Sequence, residues 1–314
     1  MATGITLAEM KMAMTASNDV LAASYVDTFE QMSPLLSRMS FITRKSGTIK
    51  YNEMVDLPAT TERALNGNYT DDIGHNKEQE VSLALFGGSF SIDSAAEGWS
   101  DQGGPESVYD QTIKLARSNA LYATKQIIKA KKTTSSHQFN GLEALCTTLN
   151  TNLVYADGTG TAGTSLSLNA LDNAIEVAHL RRGESVLFMD SLMWQQLNNI
   201  ARASDIVTTR DDFGRWVTMY REYPIMLSSR DETNTKILLF NETVGSTKTC
   251  GSIYLINFSD VDGFCGFQDA PPHETPIKLP ETGSMQTKRG FEWHMAPLVF
   301  DPSSATRLAG ITAV

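Results

Sequence analysis

With 314 residues, 41% of them hydrophobic, the chain can build one large domain or two modest ones and is too apolar to be a disordered segment. A formal charge of −10 argues against general nucleic-acid binding, which needs a basic face to displace counterions. No run of roughly 18 apolar residues marks a membrane span, the N-terminus lacks the pattern of a signal peptide, and three widely spaced cysteines (Cys146, Cys250, Cys265) fit a reducing compartment better than a disulfide framework or a zinc site.

Residues 1–20 are rich in Ala, Thr and Met without a strong period and read as a loosely ordered arm. Val26, Phe29, Met32, Leu35, Leu36 and Met39 then recur at three- and four-residue spacing, and Pro34 splits this amphipathic pattern into two short helices. The stripe lies ahead of any domain core, so something else must bury it. The period next changes to two. TIKYNEMV (48–55) and EVSLALF (80–86, with Val81, Leu83 and Leu85) alternate around a polar tract at 60–76, which predicts an extended hairpin. A two-stranded hairpin is barely stable in water and needs a surface, its own or another subunit's.

Gly103, Gly104 and Pro105 break the chain. The spacing then predicts one helix over 105–132, with a seam of Tyr109, Ile113, Ala116, Ala120, Ala123, Ile127 and Ala130. Glu106 and Asp110 near its start and Lys125, Lys129, Lys131 and Lys132 near its end match the helix dipole. At ~1.5 Å per residue it would be roughly 40 Å long. A short apolar segment follows, QFNGLEAL (138–145), and then a Gly/Thr-rich tract, 150–169, that reads as a mobile loop. Leu168, Leu171, Ile175 and Ala178 open an amphipathic helix, SVLFMD (185–190) a short strand, and Asp190 or Ser191 caps the helix SLMWQQLNNIARA. KILLF (236–240), GSIYLINF (251–258) and FEWHMAPLVF (291–300) read as strands, so 168–258 predicts an α/β or α+β domain.

Chemical motifs are sparse. GTGTAG places Gly158, Gly160 and Gly163 at dinucleotide-loop spacing, but such a loop must follow a strand and open directly onto a helix. LVYA is a poor strand and the helix begins about six residues too late, so a flexible loop is the better reading. His75, His137, His179, His273 and His294 form no metal-binding pair, SDVDGF (259–264) reads as a polar turn, and Asp71/Asp72 and Asp211/Asp212 sit in solvated tracts. The triplets at Asn68, Asn241 and Asn257 match glycosylation acceptors by chance. No feature supports an enzyme or a bound cofactor.

The order of parts resembles the major capsid proteins of tailed bacteriophages, the family with the Hong Kong 97 fold. Segment 26–41 followed by Tyr51, Glu53, Leu57 and Pro58 in Y-x-E-x-x-x-L-P is similar to the end of that family's N-terminal arm and the start of its extended loop. FNGLEAL (139–145) resembles its F-x-G-L segment after the spine helix, 168–203 the middle of its axial domain, and 290–311 its usual end. The likeness covers nearly the whole chain. Its motifs are packing patterns, more specific in their order and spacing than singly.

The resemblance implies an α+β, Hong Kong 97-like capsid fold. An N-terminal arm (1–42) and an extended E-loop hairpin (43–98) would precede a peripheral domain (99–145 and 257–297) holding the spine helix (105–132), with an α/β axial domain (146–256 and 298–314). It implies a structural protein of the virion, neither enzyme nor membrane-bound, assembled in the host cytoplasm. Hexamers and pentamers would tile an icosahedral shell around double-stranded DNA, enclosed without sequence-specific binding, and the negative charge would leave the genome free to be ejected. The shell would expand during packaging by movement of arm, E-loop and spine helix. A portal is a further partner, with room for a decoration protein. Only about 40 residues precede the hairpin, too few for the scaffolding segment of some relatives, so a separate scaffolding protein is expected, or a chain that begins at a processing site, which Met1 disfavours. Lys77 lies near the loop, but nothing marks a cross-linking partner. Candidate inter-subunit contacts are Val26, Phe29, Leu35 and Leu36 in the arm and Val81, Leu83 and Leu85 in the loop. Phe139, Leu142 and Leu145 would pin the returning chain, with Gly141 permitting a tight bend. The alternatives are an encapsulin-like nanocompartment shell and a soluble α/β enzyme using the GTGTAG loop.

Overall fold

The computed structural model describes residues 4–17, 19–93, 108–134, 137–180, 184–201, 206–210, 216–275 and 286–313. Asp211, Asp212 and the helix-initiating stretch 103–106 lie outside them. The N-terminal segment is more ordered than its composition suggests. Strand β1 (Ile5–Thr6) leads into helix α1 (Leu7–Ala16), where Thr6 and Glu9 cap each other's backbone amides reciprocally. Leu7 and Met10 are buried, and Lys11 pairs with Asp27. A capping box and two anchoring side chains supply what periodicity lacked.

Helices α2 (Val20–Met32) and α3 (Pro34–Arg38) are divided at the expected proline. Pro34 has no amide to continue α2 and sits at the first position of α3, while the Ser33 side chain accepts from the Leu36 amide. After β2 (Ser40–Thr43), strands β3 (Thr48–Met54) and β4 (Asn76–Ser82) pair from Thr48↔Ser82 to Met54↔Asn76, the predicted hairpin. Its second strand ends earlier than the alternation implied. At Leu83 the chain leaves the hairpin, and Ala84–Asp93 forms β5, which runs along β15 (Gln286–Val299).

Helix α4 (Val108–Lys129) holds 22 residues, about 33 Å. Ala116, Ala120, Ala123, Ile127 and Ala130 of the expected seam are buried, whereas Tyr109 is exposed. The helix stops at Lys129 and not at Lys132, because residues 139–145 turn back onto its last turn: the Gly141 amide donates to the Ala130 carbonyl at 2.8 Å. A single turn, α5 (Leu142–Leu145), follows. LVYA proves to be a strand after all. β6 (Leu153–Tyr155) pairs in parallel with β16 (Ala305–Thr312), and the strand on its flank supplies the context that three residues lack by themselves.

Helix α6 (Leu168–Val177), strand β7 (Ser185–Met189) and helix α7 (Ser191–Ile200) fall as expected, with Asp190 as the cap of α7. The sequence pattern missed β8 (Ile206–Arg210), β9 (Trp216–Tyr220) and β10 (Tyr223–Leu227). It also overcalled KILLF. Among residues 236–240 only Lys236 makes a bridge, to Arg230, and Ile237 and Leu238 are buried in irregular backbone. A continuous apolar run reports burial without choosing a backbone conformation.

Strands β11 (Glu242–Val244), β12 (Thr247–Asn257), β13 (Phe264–Gln268) and β14 (His273–Thr275) complete an α+β fold of two larger sheets and the hairpin. One sheet runs β1-β2-β13-β15-β14, with β5 on the other flank of β15. The other runs β6-β16-β12-β7-β10-β9-β8, with β11 beside β12. In β7 and β12 the two faces serve different cores. Val186, Phe188, Tyr254 and Ile256 join the core beneath α4. Leu187, Met189, Ile253 and Leu255 join another beneath α6 and α7. This is the strand period of two applied to a sheet buried on both sides.

Candidate functional site

The hairpin has a fixed stem and an open crest. Along the stem, up to its last pair, the Tyr51 ring meets Phe300 edge-on at 5.6 Å, and the Met54 amide donates to the Phe300 carbonyl at 3.0 Å. Burial pushes the Tyr51 hydroxyl up to about 12. A cavity of about 350 Å³ separates the stem from the returning chain, lined by Tyr51, Lys77, Gln79, Phe139, Asn140 and Pro297 among others. Beyond Met54 no regular structure resumes until Asn76, yet Val55, Leu57, Leu65, Tyr69 and Ile73 are exposed, from 62% at Val55 to 93% at Leu65. So many large apolar side chains exposed on one loop are unusual for the surface of a free monomer. Of these, the sequence reading passed over Leu65, Tyr69 and Ile73, which lie without period in the polar tract 60–76.

The candidate contacts separate into two groups. Val26, Phe29, Leu35 and Leu36 are completely or almost completely buried within the chain itself. Phe29 meets Trp293 at 5.4 Å, its neighbour Tyr25 stacks on Phe291 at 4.6 Å, and the set packs with Ala116, Ala120 and Ala123 of α4. Their apolar area is already used, which corrects the expectation that a neighbouring subunit covers them. Val81 and Leu83 are half-buried against the chain's own cores. Leu85 points away from Ala84 and Phe86 and is 73% exposed.

Residues 139–145 fasten the end of α4 to the rest of the molecule. Phe139 and Leu142 are buried in the main core and Leu145 packs against it. Gly141 lies in extended backbone (φ −80°), so a sharp bend is not what requires it. A Cβ there would stand 2.7 Å from the carbonyl oxygens of both Gln126 and Ile127, so only glycine permits this close approach.

Beside it runs a chain of alternating charges. Lys129 Nζ donates to Glu143 at 3.0 Å and to Glu242 at 2.7 Å, and Lys131 Nζ donates to Glu143 at 2.8 Å. Arg307 donates through Nη2 to Glu242 and through Nε to Ser252 Oγ, which itself donates to Glu242. Burial alone pushes the Glu242 carboxyl up, but Arg307 and Lys129 outweigh it and hold the group below its usual range. The same contest, with Lys129 and Lys131 prevailing, lowers Glu143. The chain joins α4, α5, β11, β12 and β16. Sequence reading missed it because residues so far apart carry no shared local signal.

The Gly/Thr-rich loop is closed on itself. The Asp157 carboxylate accepts from the amides of Thr159, Gly160, Thr161 and Ala162 and from the hydroxyls of Thr159 and Thr161. The amides that a phosphate would need are already occupied by an anion of the chain itself, and α6 starts only at Leu168. A second D-x-T-x-T loop repeats the arrangement. Asp231 accepts from the amides of Thr233 and Thr235, with Asn234 in the left-handed position (φ 64°) that Gly160 (φ 74°) takes in the first. Lys125 of α4 donates to Asp231 at 2.9 Å.

Among the described residues no group of three His, Cys, Asp or Glu side chains could hold a metal ion, and no helix is long and apolar enough to cross a membrane. No family model and no curated protein matches the chain. Solved structures do match it. The encapsulin of the holo-SrpI complex from Synechococcus elongatus PCC 7942 superposes with a TM-score of 0.61 at 11% identity, covering 91% of this chain and 90% of that one. The capsid of the native GTA particle gives 0.60 at 9% identity, covering 90% of each chain. The Microbacterium phage Oxtober96 structure gives 0.57 at 10% identity, covering 88% of this chain and 90% of its own. The likeness spans about nine-tenths of each chain, and the chain has the Hong Kong 97 fold shared by phage capsids and encapsulins.

Proposed function

We propose that this chain is a major capsid protein of a tailed bacteriophage, assembling into hexamers and pentamers that close an icosahedral shell around double-stranded DNA. The observation that carries the reading is the hairpin crest, where Val55, Leu57, Leu65, Tyr69 and Ile73 stand exposed beyond a two-stranded stem. An apolar loop held away from its own core is suited to cover a neighbouring copy. In a closed shell many such modest contacts act together. Leu85, exposed on β5 at the other end of the stem, is a separate candidate contact; Val26, Phe29, Leu35 and Leu36 act inside the subunit. In this reading 1–42 is the arm, 43–98 the E-loop, 99–145 with 257–297 the peripheral domain, and 146–256 with 298–314 the axial domain. Two of those limits, 256/257 and 297/298, are supported by the chain's crossings between its two larger sheets after β12 and β15, while β5 within 43–98 pairs with β15 and lies apart from the hairpin. Scaffolding and portal proteins are the partners, with DNA enclosed and not read.

Size-exclusion chromatography with negative-stain electron microscopy across salt and pH tests the proposal. Rings or closed shells are expected. A monomer under every condition, including co-expression with the neighbouring genes, would overturn it. The likeness to the encapsulin of the holo-SrpI complex favours a second reading, a compartment enclosing protein cargo. Particles that contain nucleic acid, with portal and terminase genes nearby, decide for the virus; particles filled with a co-purifying enzyme decide for the compartment.

A further inference from the structure

The chain has two Asn-Gly steps, Asn66-Gly67 on the hairpin crest and Asn140-Gly141 in the returning segment. At such a step the glycine amide nitrogen, uncrowded by a Cβ, can attack the preceding side-chain amide. The two steps are held very differently. Gly141 is buried, its amide donates to the Ala130 carbonyl at 2.8 Å, and the carbonyl oxygens of Gln126 and Ile127 lie 2.7 Å from where a Cβ would stand. The Asn140 side-chain oxygen accepts from the Lys132 amide at 3.0 Å. Reaction there requires the end of α4 and the buried clasp to open together. Asn66 and Gly67 are both exposed. They close a turn over 64–67 with Asn66 in the left-handed region (φ 65°), the pattern of a type II turn. The Gly67 amide makes one bond, to the Ala64 carbonyl at 2.9 Å, and Leu65 beside it is 93% exposed. Opening this turn disturbs no core side chain.

We infer that Asn66 is a site of spontaneous modification, converting from amide to acid in the folded protein while Asn140 is protected. The Gly67 nitrogen, giving its proton to solvent, bonds to Asn66 Cγ, and the side-chain nitrogen leaves as ammonia after taking a proton from solvent. Water then opens the five-membered imide at either carbonyl, its oxygen going to the carbon and its proton to the released nitrogen. The product at this position is an aspartyl residue or its isoaspartyl isomer, in which the backbone runs through the side-chain carbon. The step adds a negative charge to a crest already carrying Asp56, Glu62, Asp71 and Asp72 against Arg63 alone. The isomer also displaces the Gly67 carbonyl, which accepts from Arg63 at 3.2 Å while that guanidinium lies 5.2 Å from the Tyr69 ring. The crest therefore changes charge and shape with age, whatever it contacts.

The test is to incubate the full-length protein, folded and in denaturant, at mildly alkaline pH until the denatured chain has converted at both sites. Peptide mapping with fragment-ion localisation then follows acid and isoaspartyl product at each asparagine. In the folded protein Asn66 should convert at close to its denatured rate, and about tenfold or more faster than Asn140, which reacts only from an opened state. Gly67→Ala should slow Asn66 and leave Asn140 unchanged. Equal folded rates at the two sites, or an Asn66 that converts only when denatured, would overturn the inference.

Discussion

At Gly141 the requirement for glycine is steric, set by two carbonyl oxygens that would lie 2.7 Å from a Cβ. Its sequence context suggests a bend, but its backbone is extended and the need is for space beside two helix carbonyls. Gly141→Ala should therefore destabilise the chain by about 1–3 kcal/mol, the usual cost of overpacking, as read by urea unfolding; an unchanged midpoint would refute the close-approach account. Glu242 makes the converse point. No motif marks it, yet it receives Lys129, Arg307 and Ser252 in a largely buried setting. Glu242→Ala leaves two cations facing each other and should cost about 3–5 kcal/mol, with Glu242→Gln costing less because hydrogen bonds survive.

At the level of elements, the hairpin is the part whose stability and role are separable. Its stem is tied by Tyr51 and Phe300, while its crest buries nothing. Replacing Leu57, Leu65 and Ile73 together by Ser should leave the unfolding transition of the isolated subunit within about 0.5 kcal/mol per site, as surface changes do. The same variant should fail to form rings or shells by chromatography and microscopy. A variant that assembles normally would remove the crest from the interface. Helix α1 is a case where a local signal was present and went unread. T-L-A-E is a capping box, and its reciprocal bonds form. Thr6→Ala should cost about 1 kcal/mol and show first as faster amide exchange in residues 7–10.

For the whole molecule, the carboxylates that join distant elements set the acid limit. Glu143 and Glu242 are held below their ordinary range, as are Asp157 and Asp231. A lowered pKa contributes stability that is present above the unfolded value and lost as pH falls through the folded one. Stability should therefore hold from neutrality down to about 4.3, the free Glu value, and fall progressively below it. Glu242→Gln should flatten that acid slope in urea titrations at a series of pH values. A slope identical to that of the parent protein would mean that the buried charge chain does not carry the linkage.

Sequence alone determined the features that depend on near neighbours: the proline break at 34, the hairpin stem, the long helix and the strands at 185–190 and 251–258. Each follows from a period or a cap read within a few residues. Only the tertiary structure decided that the arm's stripe lies against α4 and Trp293, that KILLF is irregular, that LVY becomes a strand beside β16, and that Asp157 fills its own loop. The reason is physical. Periodicity reports which side of an element avoids water, but not which surface excludes it. Short or continuously apolar segments take their backbone form from neighbours that are distant in the chain.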